Sequence, residues 1–167
     1  MRDQITMGGK PIHLVGDDIK VGMTAPHFTA VNTDMSEFNS DSLRGTTVII
    51  SVVPSVDTKV CEFQTIKFNE DATQLDNVKV LTISVDLPFA QKRFCAANTI
   101  QNSMIVSDYR DHQFGKQYGF LIEGLKLLSR GIVVIDPSGK VAYVEYVKEV
   151  TSHPDYDKVI EFVKSMK

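Results

Sequence analysis

Cys61 closes the segment Pro54-Ser55-Val56-Asp57-Thr58-Lys59-Val60-Cys61, which follows a β-branched run and has the make-up of a strand-to-helix turn. A cysteine in the first turn of a helix lies among N–H groups without intrahelical partners and at the positive end of the helix dipole. Its sulfur ionises more readily there than a free thiol does. The chemistry that suits this placement is nucleophilic attack by a thiolate. Thr58, three positions earlier, can bring its hydroxyl onto the helix face carrying the sulfur, and Asp57 or Ser55 can cap the helix through an oxygen. Pro54 at the strand end fixes the chain direction and lacks an N–H, so it can wall a small pocket without adding a donor. The alternative is a small buried hydrophobe, the common fate of a lone cysteine; the strand, proline, threonine and helix start argue for a reactive one.

The elements that must hold these residues are readable from periodicity. Val48-Ile49-Ile50-Ser51-Val52-Val53 and Val78-Lys79-Val80-Leu81-Thr82-Ile83-Ser84-Val85 are β-branched runs typical of strands buried on both faces. A helix from about Thr58 to Leu75 links them as a βαβ unit, with Val60, Phe63, Ile66 and Leu75 expected on its buried face and Phe68 off it. Pro88 suits the first position of a second helix that continues to Ala97 and carries Cys95. Met104-Ile105-Val106 reads as a short strand. Ile132–Ile135 and Val141–Val147 should pair as a hairpin around Asp136-Pro137-Ser138-Gly139-Lys140. Tyr156, Val159, Ile160 and Val163 mark a final amphipathic helix, and Gly8-Gly9-Lys10 turns an N-terminal hairpin within residues 1–15. The expected architecture is an α/β central mixed sheet flanked by helices, with Cys61 just past the carboxyl end of a strand, where such sheets meet ligands.

The chain has 167 residues, 43% of them hydrophobic and 23% charged, which fits one domain spanning 1–167 with a core that needs no staples. A net charge of −3 without a basic run argues against nucleic acid as a partner. No early apolar segment resembles a leader and none is long enough to span a bilayer, so a cytoplasmic protein without membrane contact is expected. In that compartment the two cysteines are more plausibly redox-active than structural. The histidines His13, His27, His112 and His153 are scattered, with no zinc spacing, and no glycine-rich nucleotide motif occurs.

Pro54-x-x-x-Thr58-x-x-Cys61 resembles the active-site signature of peroxiredoxins. With Ser84-Val85-Asp86-Leu87-Pro88-Phe89-Ala90-Gln91-Lys92-Arg93-Phe94-Cys95, the chain resembles the atypical two-cysteine branch of bacterial thiol peroxidases over nearly its whole length. The resemblance implies a thioredoxin-like (peroxiredoxin) fold and a thiol-dependent peroxidase acting on hydrogen peroxide and organic hydroperoxides without metal, haem or flavin. It implies Cys61 as the peroxidatic cysteine, Cys95 as the resolving one, and Arg130, in Leu128-Ser129-Arg130-Gly131, as the active-site arginine. An intramolecular Cys61–Cys95 disulfide reopened by thioredoxin, and a homodimer, follow from the same likeness. Thr58 and Arg130 suit the tasks of steadying a thiolate and the leaving oxygen. If Phe89 and Leu127 line the pocket, they would favour alkyl hydroperoxides. Two other readings remain at this point. A disulfide oxidoreductase would want a second thiol three residues from Cys61, where Thr58 and Gln64 stand, and an inert binding domain would keep its cysteines as a staple.

Overall fold

The computed structural model describes residues 4–72, 74–98 and 103–166. Strands β1 (Thr6–Met7) and β2 (Lys10–Pro11) pair antiparallel, as expected, around Gly8 and Gly9, both at positive φ. A second hairpin, β3 (Thr29–Asn32) and β4 (Glu37–Asn39), leads through a short 3-10 turn to β5 (Thr47–Val52). There follow α1 (Lys59–Ala72), β6 (Val78–Ser84), α2 (Pro88–Asn98) and β7 (Ser103–Ser107). The chain continues with α3 (Gln113–Tyr118), β8 (Gly131–Ile135), β9 (Val141–Tyr146) and α4 (Tyr156–Ser165).

The main sheet has seven strands in the order β4-β3-β7-β6-β5-β8-β9. β5, β6 and β7 run parallel, whereas β8, β9 and β3 join antiparallel, so the sheet is mixed. The β8–β9 turn forms because Asp136 Oδ1 accepts from the Ser138 and Lys140 N–H groups, with Gly139 at positive φ. β8 begins with Gly131 for a steric reason: a Cβ there would collide with the Phe120 ring and the Glu145 carbonyl.

Strand alternation divides the sheet into two faces. On one, Val48, Ile50, Val52, Leu81, Ile83 and Val133 pack on Phe28, Phe114, Tyr118 and Phe120 in the main core. On the other, Ile49, Val80, Ile132 and Val134 pack beneath Phe68 of α1 and Val159 and Val163 of α4. Toward the carboxyl ends of β5 and β6 this second face changes character: Ser51, Thr82 and Ser84 are fully buried there.

That polar edge corrects the expected face of α1. Cys61, Gln64, Thr65 and Phe68 are the buried residues, while Phe63 is 51% exposed and Val60 and Ile66 are only partly covered. The spacing i, i+3, i+4, i+7 holds, but its central members are polar, which hid it from a hydrophobic count. Gln64 donates to Ser51 Oγ at 2.8 Å and Thr65 to the Cys61 carbonyl at 2.8 Å, so both are satisfied facing inward. Leu75 lies beyond α1 and reaches the same core from the turn.

Asp108, at the end of β7, is 2% exposed and accepts from the Phe114 and Gly115 N–H groups at the start of α3. Burial outweighs these bonds and raises its pKa from 3.8 to about 6. A raised folded-state pKa stabilises the protein below the unfolded value, and that contribution is lost as pH rises through about 6. Urea titrations of wild type and Asp108→Asn are therefore expected to diverge between pH 4 and 7. The variant should gain on the wild type with rising pH by about 3 kcal/mol, and parallel curves would refute the assignment.

Candidate active site

Cys61 is the third residue of α1 and has no exposed surface. Its N–H donates to Thr58 Oγ1 at 3.3 Å, so Thr58 caps the helix, a place the sequence suggested for Asp57 or Ser55. The Thr58 hydroxyl donates in turn to the Ser55 carbonyl at 3.3 Å, and no bond from it to the sulfur is seen. Ser55 shapes the preceding turn instead, accepting from the Asp57 N–H at 3.1 Å. Pro54 is buried at the end of β5, next to Val53, whose N–H extends the sheet to Ile83.

Arg130 sits just before β8 and is 2% exposed. Its guanidinium makes three bonds to three separate parts of the chain: Nε to the Val150 carbonyl at 2.7 Å, Nη1 to Gln64 Oε1 at 2.9 Å, and Nη2 to Cys61 Sγ at 3.0 Å. Its own carbonyl accepts from the Val147 N–H at 3.0 Å, fixing the backbone as well. None of the three acceptors is a carboxylate. A buried guanidinium of this kind supplies the counter-charge that an anionic sulfur needs. Tyr156 stands near both groups; burial pushes its hydroxyl up to about 12, with the Arg130 charge opposing and the Cys61 charge adding to the rise.

Cys95 lies on α2, half-buried, and burial raises its thiol pKa. It packs with Val53, Val56, Cys61, Phe94 and Ile105 in one small apolar cluster, yet both cysteines are free. The structure thus brings Pro54, Thr58, Cys61, Cys95 and Arg130 to the carboxyl end of β5 and its surroundings. Phe89, 67% exposed, and Leu127, packed on the main core, stand outside the cluster around Cys61. Gln64 was missed as a site residue; the signal available was a glutamine one turn after the cysteine, on the same helix face.

The redoxin family model matches residues 20–160. The chain is 53% identical over 161 residues to a thiol peroxidase of Halalkalibacterium halodurans, covering 96% of this chain and 97% of the relative. It is 50% identical over 156 residues to a thiol peroxidase of Oceanobacillus iheyensis, covering 93% and 95%. The chain belongs to the redoxin family. A solved peroxiredoxin-like protein from Aquifex aeolicus superposes with a TM-score of 0.92 at 43% identity, covering 98% of this chain and 96% of that one. The fold is thioredoxin-like, and the enzyme is a peroxiredoxin-type peroxidase. A peroxidase of this kind consumes a hydroperoxide at the expense of thiols.

Two substitutions test the geometry. Thr58→Val removes the acceptor for the Cys61 N–H and is expected to lower stability by about 1 kcal/mol in urea, while Thr58→Ser keeps it. Arg130→Lys replaces a fork whose three nitrogens reach three separate acceptors with one compact ammonium, so stopped-flow peroxide consumption should fall about a hundredfold or more. A lysine variant with near wild-type rate would show that the fork geometry is dispensable.

Proposed function

We propose that Cys61 is the peroxidatic nucleophile, Cys95 the resolving thiol, and Arg130, Thr58 and Pro54 the residues that shape and charge the site. The observation that carries this reading is the 3.0 Å contact from a buried guanidinium to a fully buried sulfur. The Cys61 thiolate attacks the distal peroxide oxygen; the S–O bond forms as O–O breaks, giving a sulfenic acid and an alkoxide that takes a proton to leave as alcohol or water. Full ionisation of an ordinary thiol yields only about ten- to thirtyfold in rate, so orientation of the peroxide and donors at the leaving oxygen must supply most of the acceleration. In this reading Arg130, a buried charge in contact with the sulfur, serves that second task.

Cys95 then attacks the sulfenic sulfur, expelling water and closing the Cys61–Cys95 disulfide. A dithiol reductant, thioredoxin in this reading, reopens it by exchange and is itself oxidised. Leu87, just before α2, and Phe89, in its first turn, are 52% and 67% exposed and offer apolar surface for the reductant or for the second copy of a homodimer. The chain would act as one domain in the cytoplasm; among the described residues no helix is long and apolar enough to cross a membrane.

The test is to mix reduced protein with one equivalent of cumene hydroperoxide and follow peroxide and free thiols. Wild type should consume the peroxide and lose both thiols. Cys61→Ser should abolish consumption, and Cys95→Ser should stop after one turnover with a sulfenic acid that dimedone traps. Slow loss insensitive to Cys61 would overturn the assignment.

A further inference from the structure

We propose that Asp86 is a positioning residue for the peroxidase reaction: its carboxylate ties the Cys61 turn to the Cys95 helix, and release of that tie lets the two sulfurs meet. The inference rests on Cys61 and Cys95 being the redox pair. Asp86 lies between β6 and α2, close to both segments. Its Oδ1 accepts from Ser55 Oγ at 2.7 Å, and its Oδ2 from the Val56 N–H at 2.8 Å and from Ser84 Oγ at 2.6 Å. Ser55 and Val56 belong to the turn that sets the start of α1, where Cys61 stands. The carboxylate therefore decides where the first turn of α1 begins.

The second arm runs to α2. Ser84 Oγ spends its one proton on Asp86, and its lone pairs accept from the Asp86 N–H at 3.3 Å and from Gln91 Nε2 at 3.0 Å. Gln91 is fully buried and lies one turn before Cys95 on α2. Its second Nε2 proton goes to the Val106 carbonyl at 2.8 Å. Gln91 Oε1 finds no partner among the described residues, so α2 is anchored through one end of the amide only. Ser107 Oγ donates to the Asp86 carbonyl at 2.5 Å and holds the hub from β7.

The two jobs of Cys61 make opposite demands on this network. Reaction with peroxide needs the sulfur at Arg130, where it lies at 3.0 Å. Disulfide closure needs it bonded to Cys95 at about 2 Å, so it must leave the guanidinium. An intact tie favours the first geometry, and a broken one frees α2 and the Cys61 turn for the second. The sulfenic acid is thereby divided between two fates. Attack by Cys95 yields the disulfide and water; attack on a second hydroperoxide yields the Cys61 sulfinic acid and an alcohol.

The experiment compares wild type, Asp86→Ala, Asp86→Asn and Gln91→Met for kcat/KM with cumene hydroperoxide. It also measures, by mass spectrometry, the peroxide concentration that converts half of Cys61 to sulfinic acid. Asp86→Ala should lower kcat/KM about tenfold and raise that concentration by a similar factor, with Asp86→Asn, which keeps one acceptor oxygen, in between. Gln91→Met, which cuts only the α2 arm, should raise the concentration about threefold. A residue with a purely structural role would shift the denaturation midpoint and leave the division between disulfide and sulfinic acid unmoved. Folded Asp86→Asn and Gln91→Met proteins with the wild-type division would overturn the inference even if Asp86→Ala does not fold. A wild type that forms neither product at Cys61 would overturn the redox pair and the inference together.

Discussion

The buried guanidinium of Arg130 is the constraint around which the site is built. A full positive charge with 2% exposure costs several kcal/mol to desolvate unless it is met by acceptors on all sides. A paired carboxylate would settle that cost and also neutralise the charge. Here the acceptors are the Val150 carbonyl, the Gln64 amide and the Cys61 sulfur, so no carboxylate neutralises the positive charge. Each partner comes from a different segment, and each must be held still: Val150 by its N–H on Thr6, Gln64 by Ser51, and Cys61 by the Thr58 cap. The N-terminal hairpin is part of this support, because Glu149 grips Thr6, Gly8 and Gly9 next to Val150.

The sheet face beneath α1 is graded to suit. Its base is apolar, with Ile49, Val80, Ile132 and Val134 under Phe68, and burial there provides the cohesion. Its upper edge, Ser51, Thr82 and Ser84, is polar and buried, and it takes the polar side chains that orient Arg130 and α2. A uniformly apolar face would pack better and cost Gln64 its bond to Ser51 and Gln91 its bond to Ser84. The polar edge therefore trades some packing for fixed donors at the reacting end of the strands.

Much of this was legible in the sequence, and the gaps have physical causes. The β-branched runs of β5, β6 and β8, Pro88 at the start of α2, and the Gly-Gly and Asp-Pro-Ser-Gly turns carry local signals strong enough to place those elements. β3, β4 and α3 are short and lack periodicity, so nothing local marked them. The phase of α1 was misjudged because its inward face carries Gln64 and Thr65, which a count of apolar residues assigns to solvent. Thr58 was named for the right helix turn, yet its observed bond is to the Cys61 N–H and not to the sulfur. Gln64 and Asp86 acquire meaning only once β5, β6, α1 and α2 are side by side, and no single segment reports that.

In the proposed reaction, complete burial of Cys61 bears on how the labour is divided between the two thiols. A hydroperoxide is a small molecule, whereas a protein dithiol must bring a helix or loop of its own to the sulfur it attacks. With no exposed surface, Cys61 in this arrangement is closed to such a partner, and exposing it would cost the Arg130 contact. Cys95, half-buried on α2, keeps part of its surface open to solvent. Burial raises the Cys95 thiol pKa and so favours its protonated, less nucleophilic form. In the proposed reaction the second, partly exposed cysteine would carry oxidising equivalents from the buried sulfur toward solvent.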